Sequence, residues 1–339
     1  MSRPIKPRRR LLAAAAALTL ARGGSALAQP AAPTAPAKGA PILIGWLDAG
    51  SRAVSGRELA VFKEGMAALG WKEGAQYVLE ERWANGNSDR LLPPAEELAA
   101  KQPAVILAAS LQPVAAAVKA APRTPIVHAS GGDPVAAGFA ASLARPGGMV
   151  TGMSNLALDV IGKHTELLLE AVPKVKRVGY LSDANNVNRA QLRQAAERSA
   201  AQRSVEARFP EVSRADQIEA ALARMAQEGA QALVVFASPL FTNEQRRIAQ
   251  LALARRWAMI GSVYGYAEAG ALLSYGSNPD TNFRRAAYYV DRILKGANPG
   301  ELPIEQPMTI ELVINGKTAK ALGIKVAPVL MLQAERVIE

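Results

Sequence analysis

Several loops in the first half of the sequence place mostly short polar side chains directly after a buried apolar run and before a predicted helix. The candidate binding residues there are Ser51, Arg52, Ser110, Leu111, Gln112, Ser130 and Asp133. A helix N-terminus presents free N–H groups that bind a carboxylate or another anion, and Arg52 would add a positive charge. Asp133 could accept a hydrogen bond from a ligand amine, but it fits the role of a helix cap equally well. For the loop of Ser51 and Arg52, a capped surface helix is the alternative.

The second half of the sequence has comparable loops. The run from Ser182 to Asn188 is dense in short polar side chains, some of which must form turns and caps. The residues that we predict to contact a ligand are Asn185, Asn188, Ser238, Phe241, Tyr264 and Tyr266. Phe241 is placed in a loop, where it could stack on a ligand or pack into the core, and the two tyrosines could wall a cleft.

The sequence lacks the motifs of common catalytic and phosphate-binding sites. It contains no G-x-G-x-x-G, no G-x-x-x-x-G-K-[ST] and no G-x-S-x-G pattern. It has no cysteine, which excludes disulfides, thiolate zinc sites and a catalytic thiol. His128 and His164 do not have metal-ligand spacing, and both are interpreted as structural, although a cleft position is open to His128 at a strand end. We therefore predict no catalytic residue, no metal and no cofactor.

An alternation of buried strands and amphipathic helices separates these loops. The elements predicted in the first part are strands at Ile42–Leu47, Tyr77–Glu81, Val105–Ala108 and Ile126–His128, and helices at Glu58–Leu69 and Pro113–Ala120. After a break at Arg145–Gly148, the predicted strands are Val178–Leu181, Val205–Phe209, Leu233–Phe236, Met259–Ser262, Leu272–Tyr275 and Thr309–Ile314. The helices predicted there are Ala190–Gln202, Gln217–Glu228, Glu244–Arg255, Phe283–Leu294 and Lys317–Leu322. This alternation predicts an α/β fold of two doubly wound parallel-sheet lobes, which bind ligands beyond the carboxyl ends of their strands.

The N-terminus has the order of a signal peptide. Basic residues up to Arg10 precede an apolar run from Leu11 to Ala21, and Ala26-Leu27-Ala28 fits a small-x-small cleavage pattern. We predict a signal peptide at residues 1–28 and an Ala- and Pro-rich flexible leader at 29–41. The run from Arg8 to Leu12 leaves the general and twin-arginine export routes both open.

The positive charge of the chain is concentrated in this N-terminal segment. Residues 1–28 hold six basic residues and no acid, so they carry more than half of the formal charge of +11. The remaining positive charge is spread without a basic stripe, which is typical of a solvated surface. We therefore expect no nucleic-acid partner, and we expect export to the periplasm with cleavage near Ala28.

Three further segments of the sequence form recognisable motifs. They are Asp133-Pro134-Val135 with Ser142–Gly152, Ile293–Pro299 with Leu302–Pro307, and Leu312–Asn315 with Lys317–Gly323. This combination resembles one group of ABC-transporter substrate-binding proteins, which includes tryptophan- and tyrosine-binding members. The chain departs from that group at Met149, where Asn is usual, at Gly316, where Leu is usual, and at Ser110-Leu111, which replaces a Gly-Thr or Gly-Ser pair. The last departure lies in a ligand-facing loop, so it concerns the ligand's identity rather than the fold.

The resemblance implies the type I periplasmic binding protein fold, in which three crossing strands join two lobes. It implies crossings near Gly152, Asn278 and Thr309. Lobe 1 would then comprise residues 42–152 plus 279–308, and lobe 2 would comprise residues 153–278 plus 309–339.

These observations together predict the solute-binding component of an ABC importer and not an enzyme. The protein would capture a small polar solute in the interlobe cleft, such as an amino acid, aromatic ones included. Its partners would be this ligand and an inner-membrane ABC permease, and we expect a monomer. The alternatives are a binding protein that reports its ligand to a membrane receptor and a two-lobed α/β enzyme. A DNA-binding regulator with this core would carry an N-terminal helix-turn-helix where this chain has a predicted signal peptide.

Overall fold

The computed structural model describes residues 40–154, 157–262, 264–306 and 310–339. The predicted signal peptide at residues 1–28 lies outside these ranges, as does nearly all of the predicted leader at residues 29–41. No helix in the described ranges combines the length and the apolar character that a membrane span requires.

In the described ranges, five parallel strands form the first sheet. They are β1 (Ile42–Asp48), β2 (Tyr77–Trp83), β3 (Val105–Ala108), β4 (Ile126–His128) and β5 (Val150–Gly152), in the order β2-β1-β3-β4-β5. The helices that follow β1, β2 and β3 along the chain are α1 (Arg52–Ala68), α2 (Leu92–Ala100) and α3 (Leu111–Ala120). Each of these strand-to-helix loops therefore lies at the carboxyl edge of the sheet.

Eight described strands form the second sheet. They are β6 (Arg177–Asp183), β7 (Glu206–Arg208), β8 (Glu211–Val212), β9 (Ala232–Val235), β10 (Ala258–Gly261), β11 (Leu273–Ser277), β12 (Ile310–Asn315) and β13 (Arg336–Ile338). Their order is β13-β12-β11-β10-β9-β6-β7, with β8 beside β6. All pairs are parallel except β11 with β12, which corrects the expectation of parallel sheets throughout. Between β11 and β12 the chain crosses to the first sheet and returns. It therefore re-enters the second sheet at the edge where β11 ended, and β12 runs in the opposite direction to β11.

The helices divide between the two sheets. Those on the second sheet are α4 (Ala157–Ala171), α5 (Arg189–Gln202), α6 (Ile218–Gln227), α7 (Pro239–Asn243), α8 (Gln245–Ala254), α10 (Gly316–Leu322) and α11 (Pro328–Gln333). Helix α9 (Pro279–Leu294) follows β11 but packs against α1, β3 and β4 of the first sheet. We call the first sheet with α1–α3 and α9 lobe 1, and the second sheet with its helices lobe 2.

Both faces of each sheet are covered, and strand residues alternate between the two sides. In β1, Ile44 and Trp46 belong to the core beneath α1 and α9, whereas Leu47 belongs to the core beneath α2 and α3. In β6, Tyr180 and Leu181 are divided between two cores in the same way. Burial on both faces explains why these strands appear in the sequence as nearly continuous apolar runs.

The first crossing between the lobes passes through Gly152. This residue has a φ of +121°, and a Cβ there would overlap the backbone of His128, so the position requires glycine. The next residue, Met153, pairs with Glu305, and Ser154 N–H donates to Glu305 O at 2.7 Å. These contacts tie the first crossing to the segment that leads into the third. The second crossing runs from β11 into α9, and the predicted third crossing at Thr309 lies outside the described residues.

Several element boundaries differ from the sequence-based ones. Helix α1 begins at Arg52 rather than at Glu58, and α9 begins at Pro279 rather than at Phe283, because apolar spacing marks only the buried part of a helix. Phe241 lies in the five-residue helix α7 and not in a loop. No bounds are predicted from the sequence for α4, although it has 15 residues. The sequence also does not predict α7, α11, β5, β8 or β13, since each is too short to display a periodicity.

Candidate functional site

A cavity of about 380 Å³ lies between the two lobes. It is formed where strands of both sheets end and lead into the following loops and helices. Its volume falls in the range of about 300–1,000 Å³ that is usual for small-molecule pockets, close to the lower end. The predicted contact residues that line it are Ser110, Leu111, Gln112, Ser130, Asn188 and Ser238.

The N-terminus of α3 contributes to the lobe 1 wall. Its cap residue Ser110 is extended, and the Ser110 hydroxyl donates to Gln112 Oε1 at 3.3 Å instead of capping the helix backbone. The first backbone hydrogen bond of this helix runs from Val114 N–H to Ser110 O, so the N–H groups of Leu111 and Gln112 have no partner within the helix. These two N–H groups and the helix dipole suit an anionic group such as a carboxylate.

The loop after β4 brings Ser130, Gly131 and Gly132 to the cavity, where lobe 1 approaches Asn188 of lobe 2. Gly132 has a φ of +108°, and a Cβ there would overlap the side chain of Leu111 and lie 3.5 Å from Asn188 Nδ2. Asn188 is only 2% exposed, and its buried Oδ1 accepts no hydrogen bond from the described residues. The Asn188 amide therefore offers a ligand an acceptor whose hydrogen bond is still unmade.

A polar network holds the lobe 2 wall in place. The Ser238 hydroxyl caps α7 and donates to Asp183 Oδ2 at 2.5 Å. Burial raises the pKa of Asp183, and the hydrogen bond from Ser238 partly offsets this shift. Asn186 Oδ1 accepts from the backbone N–H of Asn188 at 2.9 Å. Both wall residues, Ser238 and Asn188, are thus fixed by neighbours on their own lobe.

Three lobe 1 residues predicted as ligand contacts lie away from the cavity wall. The Ser51 hydroxyl donates to Asn243 Oδ1 of lobe 2 at 3.4 Å. Arg52 pairs with Glu81 at 3.1 Å, and its side chain is 66% exposed. Asp133 accepts two backbone N–H bonds of its own loop, at 2.8 and 3.2 Å. Asp133 therefore closes a turn of its own loop instead of contacting a ligand amine, and the predicted helix cap is wrong as well, since no described helix follows Asp133 before β5.

The structure also corrects three lobe 2 predictions. Phe241 is fully buried in the core beneath the sheet, because the short helix α7 turns this side chain inward. Tyr266 is fully buried in the same core, against Gly261, where a Cβ would overlap the tyrosine ring. Asn185 is turned away from the cavity, with its Nδ2 donating to Ser213 O at 3.4 Å. The side chain of Tyr264 lies outside what the structure describes.

Sequence reasoning missed the acidic part of the cavity wall. Asp48 ends β1, is 4% exposed and accepts a hydrogen bond from Gly50 N–H at 2.7 Å. Burial raises the pKa of Asp48 to about 7; the Gly50 hydrogen bond opposes this shift and the charge of Glu58 adds to it. Glu58 on α1 also lines the cavity, and its pKa is raised, mainly by burial. The position of Asp48 in the sequence could have indicated its role. It directly follows the predicted strand Ile42–Leu47, much as Ser110 comes soon after the strand Val105–Ala108.

An apolar surface completes the cavity. Ile161 and Leu192 line it from lobe 2, and Val54 and Phe283 line it from lobe 1. The Phe283 ring stacks on Trp46, with ring centroids 5.5 Å apart, so this part of the wall is backed by the aromatic core of lobe 1. The cavity can therefore accommodate a ligand that combines charged or polar groups with an apolar side group.

The two histidines support the crossings rather than the cavity. His128 Nδ1–H donates to Met153 O at 2.5 Å, and His164 Nε2–H donates to Tyr275 O at 2.6 Å. Burial lowers the pKa of both rings to about 4, so both are neutral at physiological pH. Among the described residues, no group of three or more His, Cys, Asp or Glu side chains is arranged to hold a metal ion.

The lobes touch each other beside the cavity. Asn243 of lobe 2 accepts from the Ser51 hydroxyl and lies against Gly50 and Gly86 of lobe 1. A Cβ at Gly86 would lie 2.6 Å from Asn243 Nδ2, so the fit at this contact leaves no room for a larger residue. The described structure is therefore one in which the cleft is closed at this rim.

Comparisons with known proteins relate this chain to binding proteins. The model of the family described as ABC transporter substrate binding protein matches residues 53–338. A tyrosine-binding protein of Clostridioides difficile (strain R20291) is 25% identical over 269 residues, which cover 78% of this chain and 76% of that protein.

Solved structures share the fold. A conserved domain protein from Vibrio cholerae has a TM-score of 0.83 at 23% identity, and an ABC domain from Streptococcus pneumonia in complex with L-Trp has a TM-score of 0.81 at 22% identity. Each match covers 88% of this chain and 100% of the solved one. The two-lobed periplasmic binding protein fold predicted from the sequence is confirmed.

Proposed function

Because the chain belongs to the family of ABC transporter substrate-binding proteins, we propose that it captures a small solute of the amino-acid class in the interlobe cavity and delivers it to an ABC importer. The family is one of binding proteins rather than enzymes. The observation that carries the ligand class is the arrangement of the cavity wall. The N–H groups of Leu111 and Gln112 suit a carboxylate, and the apolar surface around Phe283 suits a side chain.

An aromatic amino acid is the ligand that we favour within this class. One relative is a tyrosine-binding protein, and one structural neighbour was solved with L-Trp. The apolar wall formed by Val54, Ile161, Leu192 and Phe283 supports this choice, since it gives a large apolar side group a place to be buried.

Delivery to a transporter implies a location and a partner. We propose that residues 1–28 are a signal peptide cleaved near Ala28, that the chain acts as a monomer in the periplasm, and that it docks on an inner-membrane permease. The basic, apolar and small-residue order of the N-terminus supports export. We propose residues 42–152 plus 279–308 as the extent of lobe 1, and residues 153–278 plus 309–339 as that of lobe 2.

Binding tests this function directly. The purified chain should release a bound solute that mass spectrometry of the denatured protein identifies, and L-tyrosine or L-tryptophan should raise its melting temperature. Ser110→Trp fills the cavity beside α3 and should abolish the shift, whereas Leu332→Trp adds the same side chain at an 89% exposed position and should keep it. A chain that binds no amino acid, or a Ser110→Trp variant that binds as well as the wild type, would contradict the proposal.

A further inference from the structure

Two carboxylates on the lobe 1 wall of the cavity have few compensating partners among the described residues. Asp48 is 4% exposed and accepts one hydrogen bond, from Gly50 N–H. Glu58 lies close enough for its charge to act on Asp48, and its Oε2 is buried without a described hydrogen-bond partner. Buried carboxylates are normally paired, because removing a charge from water costs free energy that a partner must offset.

The other charged groups around this wall offset its negative charge only in part. Arg57 on α1 lowers the pKa of Glu58, but Arg57 pairs with Asp280 on α9 at 2.5 Å, and the charge of Asp280 raises the same pKa. Across the cavity, Glu268 of lobe 2 pairs with Arg336, and Arg246 is exposed to solvent. The wall at Asp48 and Glu58 therefore presents a net negative charge to the cavity when these carboxyls are ionised.

An independent observation in lobe 2 also indicates a missing hydrogen-bond donor. Asn188, 2% exposed, lines the same cavity and has an Oδ1 with no described hydrogen-bond partner. A buried acceptor without a donor is unfavourable, so a ligand that brings an N–H group gains the most from this wall.

We propose that the cavity binds a ligand with an ammonium or guanidinium group, and that the Asp48 and Glu58 carboxylates pair with this cation. The inference rests on the proposed binding function and names the ligand chemistry for it. An α-amino acid fits, since its carboxylate is placed at the N–H groups of Leu111 and Gln112 and its ammonium group supplies three donors. Neutral sugars offer no charge to this wall, so they are disfavoured as ligands.

Cation binding at this wall makes affinity depend on pH. Burial and the charge of Glu58 raise the pKa of Asp48 to about 7, so this carboxyl is largely protonated at lower pH. The ligand cation requires the ionised form and displaces the proton, and affinity therefore rises as the pH rises through about 7. His128 and His164 stay neutral across this range, because burial lowers the pKa of both to about 4.

Calorimetric titration of the full chain with L-tyrosine tests the inference. We expect affinity to be about tenfold or more higher at pH 8 than at pH 5.5, with release of a proton on binding. Asp48→Asn and Glu58→Gln should each weaken binding about tenfold or more at pH 8, and Asp48→Asn should remove most of the pH dependence. Glu64→Gln is the matched control, since Glu64 lies on the same helix with its side chain 68% exposed, and it should bind as the wild type does.

Two tyrosine analogues separate the charged groups. Tyramine keeps the amine and lacks the carboxylate, whereas desaminotyrosine keeps the carboxylate and lacks the amine. We expect desaminotyrosine to lose affinity in the wild type and to be insensitive to Asp48→Asn. Equal binding of L-tyrosine and desaminotyrosine, or unchanged affinity of both acid-to-amide variants for L-tyrosine, would overturn the cation site and leave the proposed function standing.

The proposed function can also fail separately. If L-tyrosine and L-tryptophan do not bind but tyramine or L-arginine does, and if Asp48→Asn weakens that binding, the cation site is supported and the aromatic amino-acid ligand is rejected. If a neutral sugar binds in the cavity with an affinity that Asp48→Asn leaves unchanged, both the cation site and the amino-acid class are rejected.

Discussion

At the scale of single residues, Asp48 is a group that destabilises the described, closed fold while it is ionised and no ligand is bound. Its position at the end of β1 removes it from water, and the single hydrogen bond from Gly50 only partly compensates for the lost hydration. Such a residue is expected in a binding site, because the ligand supplies the positively charged partner that the carboxylate lacks. The ligand-free protein is correspondingly less stable.

We expect Asp48→Asn to stabilise the ligand-free chain at pH 8. Burial raises the folded-state pKa of Asp48 from 3.8 to about 7, so the ionised form opposes folding increasingly between these pH values and fully above them. Each pKa unit corresponds to about 1.4 kcal/mol, which sets an upper limit of about 4 kcal/mol for the gain at pH 8. The stability gained by Asp48→Asn should nearly vanish at about pH 4. At this pH the Asp48 carboxyl is protonated in the folded state and is also becoming protonated in the unfolded state.

Urea unfolding of the wild type and Asp48→Asn at the two pH values measures this difference. The asparagine side chain keeps an oxygen that can accept from Gly50 N–H, so the turn itself is retained. A variant that is less stable than the wild type at pH 8 would show that the Asp48 carboxylate is already compensated in the ligand-free chain.

Only part of the site could be predicted residue by residue. Ser110, Ser130 and Ser238 were accessible to sequence reasoning, because each follows a buried strand that ends at the cavity. Glu58 was not, since a glutamate on an amphipathic helix looks like a solvated residue until α9 and lobe 2 are placed around it. Phe241 was predicted as a ligand contact because the sequence places it in a loop. In the structure it belongs to a five-residue helix, which turns its side chain into the core.

At the scale of elements, the alternation of apolar runs and helical patterns predicted most strands to within one or two residues. Val105–Ala108 and Ile126–His128 match the observed β3 and β4. The pairing direction of β12 could not be read from its sequence, because it is decided by the point at which the chain returns from lobe 1. Helix starts were less accurate, since the first turns of α1 and α9 lie outside the apolar periodicity that marks the buried part of each helix.

In the first crossing between the lobes, the addition of a single Cβ atom at Gly152 should strongly lower the stability of the protein. We expect Gly152→Ala to lower the free energy of unfolding by at least about 2 kcal/mol, because its φ of +121° is unfavourable for alanine and the new Cβ would overlap the His128 backbone. Gly148→Ala is the matched control in the same segment, where a Cβ would meet nothing within 4 Å. Urea unfolding followed by circular dichroism measures both variants, and equal stability of the two would contradict the role given to Gly152.

At the scale of the whole molecule, each lobe presents half of the cavity. Lobe 1 contributes the α3 N-terminus and the acidic wall, and lobe 2 contributes Asn188 and Ser238. A ligand that touches both halves gains all its contacts only when the lobes are together, and this difference in affinity shifts the equilibrium toward closure. Asn243 adds a direct contact between the lobes at the cavity rim. The two-lobed plan was accessible from sequence, whereas the closed state depends on contacts between segments far apart in the chain.

Small-angle scattering of the full chain, with and without saturating L-tyrosine or L-tryptophan, tests the capture of a solute between two lobes most directly. We predict that the radius of gyration falls when the ligand is added to the wild type, because closure brings the lobes together. The Ser110→Trp variant, whose cavity is filled, should show no such change, and Leu332→Trp should behave as the wild type does. A radius of gyration that stays constant while calorimetry shows the wild type to be saturated would contradict ligand capture by closure.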